Sequence, residues 1–196
     1  EDRSWNVVST PHTVELMPAE GSGCRNYQGP AWYRKHFVLP AETKGQRVVL
    51  HFEAAMGKQI LYLNGKRIQE HLGGYLPFTL DLTANGVQAG DSCLLAVFTD
   101  NSDDKSYPPG KRQYTLDFAY HGGIYRDVWM IAKSPVAITD AIDSQIVGGG
   151  GVFVHFDKIS KKSAQVYVNT EVQNDDARSE SVTVETTLTD ADGKVI

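Results

Sequence analysis

Cysteine is almost missing. Cys24 and Cys93 are the only two in 196 residues, and no Cys-x-x-Cys pair occurs. Zinc-ribbon and thiol-redox chemistry are therefore not expected. Cys93 sits in the apolar run Cys93-Leu94-Leu95-Ala96-Val97-Phe98 and reads as a small core residue; Cys24 sits in a Gly/Asn-rich loop, so a disulfide is not expected. The six histidines (12, 36, 51, 71, 121 and 155) are scattered, with no His-x-x-x-His spacing, so no metal site is expected. No apolar stretch approaches the ~18 residues of a spanning helix. No run of five basic residues exists, and Lys+Arg 19 against Asp+Glu 24 gives a net charge of −5. Nucleic acid and anionic membrane are thus poor partners for this surface. A 3.6-residue apolar period sustained over ten residues is missing too. The chain opens on Glu1-Asp2, without Met or a signal-peptide pattern, and ends on Lys194-Val195-Ile196, which looks like strand interior. The expectation is a piece of a longer protein.

The dominant period is two. Val48, Leu50, Phe52 and Ala54 alternate with Arg47, Val49, His51 and Glu53, which predicts a strand with one wet face. The run 60–63 leads into Asn64-Gly65, a strong hairpin signal. Leu76, Phe78, Leu80 and Leu82 form another alternating set. The runs 94–98 and 128–132 are apolar on both faces, which predicts central, doubly covered strands and puts Trp129 in the core. Residues 32–39 form a strand stopped by Pro40. Short strands with Gly, Asn and Pro turns predict an all-β sandwich or jelly roll. Residues 100–120 break the pattern: they are long, polar and Tyr/Pro-rich, the profile of a functional loop.

A boundary is expected near Lys133-Ser134-Pro135. Beyond it, strands are predicted at 152–156, 164–172 and 181–189, with a turn at Asp190-Ala191-Asp192-Gly193. Four or five strands are too few for an immunoglobulin-like sandwich, which takes about seven. Unpaired edges and an uncovered sheet face predict self-association, so a homo-oligomer is expected.

Several motifs occur in order: Trp5 with Thr10-Pro11-His12, Gly29-Pro30-Ala31-Trp32-Tyr33-Arg34-Lys35-His36-Phe37, Tyr62-Leu63-Asn64-Gly65, Gly73-Gly74-Tyr75-Leu76-Pro77-Phe78-Thr79-Leu80-Asp81-Leu82-Thr83, Asp100-Asn101, and Gly122-Gly123-Ile124-Tyr125-Arg126-Asp127-Val128. Together they resemble the N-terminal sugar-binding domain of family 2 glycoside hydrolases, which includes β-galactosidases, β-glucuronidases and β-mannosidases. The resemblance implies a jelly-roll, galactose-binding-like β-sandwich over 1–134, then a truncated immunoglobulin-like β-sandwich over 135–196. It also implies retaining hydrolysis of β-glycosidic bonds by two glutamates, in a catalytic barrel that this sequence does not include. No residues match either glutamate motif, so the chain alone is expected to be non-catalytic and to need no cofactor. It would brace the barrel and supply a wall of its pocket, with a β-galactosidase type favoured.

Asp100 and Asn101 are the candidate substrate-binding residues. A carboxylate accepts, and an amide both donates and accepts, hydrogen bonds with sugar hydroxyls. The resemblance implies that the aspartate reaches a sugar pocket; a plain turn cap is the alternative. Tyr107, Tyr114, Phe118 and Tyr120 could stack on sugars or pack against the barrel, and Lys111 and Arg112 are expected to be solvated. Trp32 is a weaker stacking candidate, and His36 and His51 are expected to face solvent. The rival function is a free-standing carbohydrate-binding module, and a cell-surface interaction sandwich is a third. A periplasmic or secreted location would suit a polysaccharide-degrading enzyme.

Overall fold

A computed structural model describes residues 2–16, 27–118 and 120–196. Cys24 lies outside the described residues. The fold is all-β and divides into two units, Glu1–Ala132 and Lys133–Ile196.

Among the described residues, the first unit holds seven strands: β1 (Pro30–Val38), β2 (Arg47–Phe52), β3 (Lys58–Leu63), β4 (Lys66–Leu72), β5 (Phe78–Asp81), β6 (Ser92–Asp100) and β7 (Val128–Lys133). They form a four-stranded sheet in the order β1-β6-β3-β4 and a three-stranded sheet in the order β5-β2-β7. The two sheets share one core. Leu61, Leu63, Leu95 and Val97 come from the first sheet; Val48, Leu50, Phe52, Phe78 and Leu80 come from the second. Phe52 and Phe78 stack with ring centroids 4.7 Å apart. Each such buried side chain contributes about 1.5–3 kcal/mol relative to exposure.

The β3–β4 hairpin turns at Asn64-Gly65. Both residues have positive φ, 51° and 82°, as a type I′ turn requires. β6 is central, flanked by β1 and β3. It is covered on one side only. Cys93, Leu95, Val97 and Thr99 are buried, while Leu94, Ala96, Phe98 and Asp100 stay partly exposed on the outer face.

Other expectations need correction. β7 is an edge strand, not a central one, so Trp129 is 55% exposed and donates from Nε1 to Glu53 Oε1 at 3.0 Å. β2 has no fully wet face. Val49 is buried, and His51 is half-buried with its Nδ1 out of reach of solvent. Leu76 precedes β5 and is exposed.

The second unit holds β8 (Val136–Ile138), β9 (Val152–Asp157), β10 (Gln165–Thr170) and β11 (Val172–Asn174). β8 pairs with β11 and β9 with β10, both antiparallel. The expected strand at 181–189 does not form a ladder; its one bridge joins Thr189 to Val195. The turn between them is as expected, with Asp190 Oδ1 accepting the amides of Asp192 and Lys194. Without a continuous partner strand, alternation alone does not make a strand here.

Candidate functional site

β6 delivers Asp100 to the end of the four-stranded sheet, where it lies opposite Pro30 of β1 and Lys58 of β3. The backbone there is crowded. Gly57 has φ +84°, and a Cβ on it would lie 1.9 Å from the Asp100 carbonyl oxygen. Only glycine allows that approach. Asp100 Oδ1 accepts the Ser102 amide at 2.8 Å, which starts the loop as an Asx turn. The side chain stays partly exposed.

Asn101 behaves differently. It is 2% exposed. Its Oδ1 accepts the Gly29 amide at 3.0 Å, and its Nδ2 donates to the carbonyls of Tyr27 at 2.6 Å and Tyr120 at 2.9 Å. A Cβ on Gly122 would come within 2.9 Å of that Nδ2. One carboxamide thus ties together the segment before β1, the start of the loop and the loop's far end. The structure brings the two candidates together in sequence but separates their surroundings: Asp100 faces partly outward and Asn101 inward.

Among its described residues, the loop from 101 to 127 contains one 3-10 turn, Gln113–Thr115. It is ordered by its own carboxylates. Asp103 Oδ1 accepts from Gln28 Nε2 at 2.8 Å and the Gln113 amide at 2.9 Å. Asp104 Oδ1 accepts from the Ser106 amide and hydroxyl, and these bonds hold its carboxyl below its ordinary range. Partial burial pushes the Tyr107 hydroxyl up, and the charges of Asp104, Asp100 and Glu70 push it further. That places Tyr107 in the same electrostatic neighbourhood as Asp100.

The aromatics of this loop divide. Tyr120 is 3% exposed; burial, then its neighbour Tyr75, raises its pKa far above the ordinary value. Tyr114 and Phe118 are exposed. Arg112 is engaged: it donates to the Tyr114 hydroxyl at 3.0 Å and lies over that ring. The Tyr125 hydroxyl donates to the Gly74 carbonyl, which joins the Gly73-Gly74-Tyr75 segment to the closing motif. Tyr27, Gly57 and Tyr75 were not singled out from sequence as site residues. Gly57, next to the start of β3, carried the one local signal, a glycine where the chain must pass close to another backbone.

Among the described residues, no group of three or more His, Cys, Asp or Glu side chains is placed to hold a metal ion. Asp104 and Glu70 add their charge to that of Asp100 around Tyr107, so this end of the sheet is rich in hydrogen-bond acceptors.

Comparison with known proteins identifies the family. Residues 7–135 match the family model "Glycosyl hydrolases family 2, sugar binding domain". A beta-glucuronidase of Formosa agariphila is 32% identical over 209 residues, covering 100% of this chain and 21% of the relative. A beta-galactosidase of Thermoanaerobacter pseudethanolicus is 31% identical over 172 residues, covering 88% of this chain and 21% of the relative. The solved structure of a beta-glucuronidase from glycoside hydrolase family 2 superimposes with a TM-score of 0.75 at 30% identity, covering 100% of this chain and 21% of that one. The chain therefore spans about a fifth of the length of these relatives. By motif order, sandwich architecture and the match over 7–135, the chain belongs to family 2 of the glycosyl hydrolases, through that family's sugar-binding domain.

Proposed function

We propose that this chain is the non-catalytic N-terminal part of a retaining family 2 glycosidase. The whole protein would hydrolyse β-glycosidic bonds, with a β-galactosidase type favoured. In this reading residues 1–134 are the sugar-binding-like jelly roll and 135–196 are the truncated immunoglobulin-like sandwich. The first domain braces the catalytic barrel and lends it one wall of the sugar pocket. The observation that carries the proposal is the end of β6, where Asp100 is partly exposed on a strand fixed on both sides.

Within that site the two candidates divide the work. Asp100 accepts hydrogen bonds from sugar hydroxyls directly. Asn101 serves substrate binding from beneath, by fixing the backbone at Tyr27, Gly29 and Tyr120 around it. The family relationship and the names of the relatives, beta-glucuronidase and beta-galactosidase, support a β-linked glycoside as the substrate class.

The test is an assay of the purified chain on nitrophenyl β-galactoside and β-glucuronide, beside the full-length enzyme. No turnover by the chain and turnover by the enzyme is the expected pair of results. Hydrolysis by the pure chain would overturn the non-catalytic assignment.

A further inference from the structure

A cavity of about 460 Å³ lies between β1 and β7, the edge strands of the first unit's two sheets. This is within the ~300–1,000 Å³ range of small-molecule sites. Its floor is core surface. Leu50 and Phe52 come from one sheet, Leu95 and Val97 from the other, with Ile124 beside them. Met130 of β7 lines the open side and is 40% exposed. Apolar surface of this kind holds water poorly and accepts hydrocarbon.

The segment before β1 fixes the walls. The His12 amide donates to the Ile124 carbonyl at 2.8 Å, and the Val14 amide to the Gly122 carbonyl at 2.9 Å. The Tyr33 hydroxyl, at the cavity wall, meets His12 Nδ1 at 2.9 Å. The space is therefore shaped before any ligand arrives, which lowers the ordering cost of binding.

One lining residue breaks the apolar pattern. In β1, Tyr33, Lys35 and Phe37 lie opposite Val97, Leu95 and Cys93 of β6. Those three partners are buried, so Lys35 starts from the core-facing side of β1. Tyr33 and Phe37 pack on the core from that side, whereas Lys35 is exposed. A lysine there lays its stem over apolar surface and carries its ammonium out to water.

The charges decide the class of ligand. The charged residues lining the cavity are Arg34 and Lys35, both cations. Asp2 occupies Arg34 at 2.6 Å. Among the described residues, no ion pair takes Lys35. The cavity thus offers apolar walls and one uncommitted positive charge at its mouth. A hydroxyl-rich ligand would strand its polar groups against these walls. A singly charged carboxylate on an alkyl chain fits both parts: the head meets the ammonium and the chain meets the walls.

We propose that this cavity binds an alkyl carboxylate, with its chain between the sheets and its head at Lys35. The site rests neither on Asp100 nor on the glycosidase reading.

Calorimetry of the purified chain tests it. The probes are octanoate, decanoate and decyltrimethylammonium, each below the concentration at which it forms micelles. Decanoate should bind saturably, with a dissociation constant below about 1 mM. Octanoate, shorter by two methylenes, should bind roughly tenfold more weakly. The cation should bind at least about tenfold more weakly than decanoate. Lys35→Glu should reverse that preference, and Val128→Phe, which fills the cavity from β7, should abolish decanoate binding. Decanoate should shift the NMR methyl signals of Leu50, Leu95, Val97 and Ile124. Phe156→Asp, in the exposed apolar ribbon of the second unit, should leave the affinity unchanged. No saturable decanoate binding overturns the site. So does equal affinity for the cation, indifference to Lys35→Glu, or methyl shifts confined to the second unit. Attachment to phosphatidylglycerol vesicles without binding of free decanoate would assign a lipid-surface contact and overturn it too. Should Val128→Phe fail to fold, Lys35→Glu, at an exposed position, carries the test together with the methyl shifts.

Discussion

Asn101 donates from Nδ2 to the carbonyl oxygen of Tyr120 at 2.9 Å, across nineteen residues of loop. The bond is buried, and the same nitrogen also reaches Tyr27. Removing the carboxamide would strand two carbonyls and the Gly29 amide. An unsatisfied buried polar group costs about 1–3 kcal/mol. Asn101→Ala should therefore lose about 3 kcal/mol or more in urea unfolding, and the loop amides should exchange hydrogen faster. A variant with wild-type stability and wild-type exchange would remove the clamp from the account.

Gly57 provides a second check. Its φ is positive, and a methyl group there would overlap the Asp100 carbonyl. Gly57→Ala should displace the end of β6 and cost about 3 kcal/mol or more, through strain and overpacking together. Gly65 also has positive φ but nothing within 4 Å of its would-be Cβ. Gly65→Ala should cost only about 1 kcal/mol. Equal melting temperatures for the two variants would contradict the close approach at Gly57.

His71 gives a pH dependence. Its ring stacks on Phe78 at 4.3 Å, and burial holds its pKa below the ordinary value. The unfolded chain protonates this residue near pH ~6.5, while the folded chain resists it. Between the two pKa values the unfolded state binds more protons, so stability falls as pH drops through ~6.5 and levels off below the folded value. His71→Phe should flatten that part of the profile. An unchanged difference between pH 7.5 and 5 would exclude this contribution.

The second unit leads to a prediction about association. Phe153, Phe156, Val182 and Val184 are 47%, 58%, 53% and 49% exposed. Among the described residues, the β9–β10 ribbon has no further strand on either side. Open edges and exposed apolar side chains recruit other chains. Light scattering of the purified chain should show mass rising with concentration, and Phe156→Asp should reduce it. A monomer throughout would count against self-association.

How much of this was legible in the sequence depended on range. The Asn64-Gly65 turn is decided by two adjacent residues, and the hairpin forms where they stand. The central place of β6 followed from its apolar run. Its single covered face did not, because the outer side is occupied by Trp32 and Tyr62 around Phe98 rather than by another layer. Trp129 carried the same apolar neighbours as a core residue and ended on an edge strand. Strand order is a property of the whole sheet, and no local window carries it. Asn101 is the clearest case. Its partners lie 72, 74 and 19 residues away, so nothing near it announced an inward-facing clamp. Asp100 was legible as a strand end; its crowding by Gly57 was not.

The central claim is that Asp100 belongs to the sugar pocket of a larger glycosidase. The measurement that tests it most directly is kcat/KM of the full-length enzyme on nitrophenyl β-galactoside, wild type against Asp100→Ala. Loss of a charge-assisted hydrogen bond of about 1.5–3 kcal/mol predicts a fall of roughly 10- to 100-fold, with the melting temperature close to wild type. An unchanged kcat/KM in a folded variant would contradict the account.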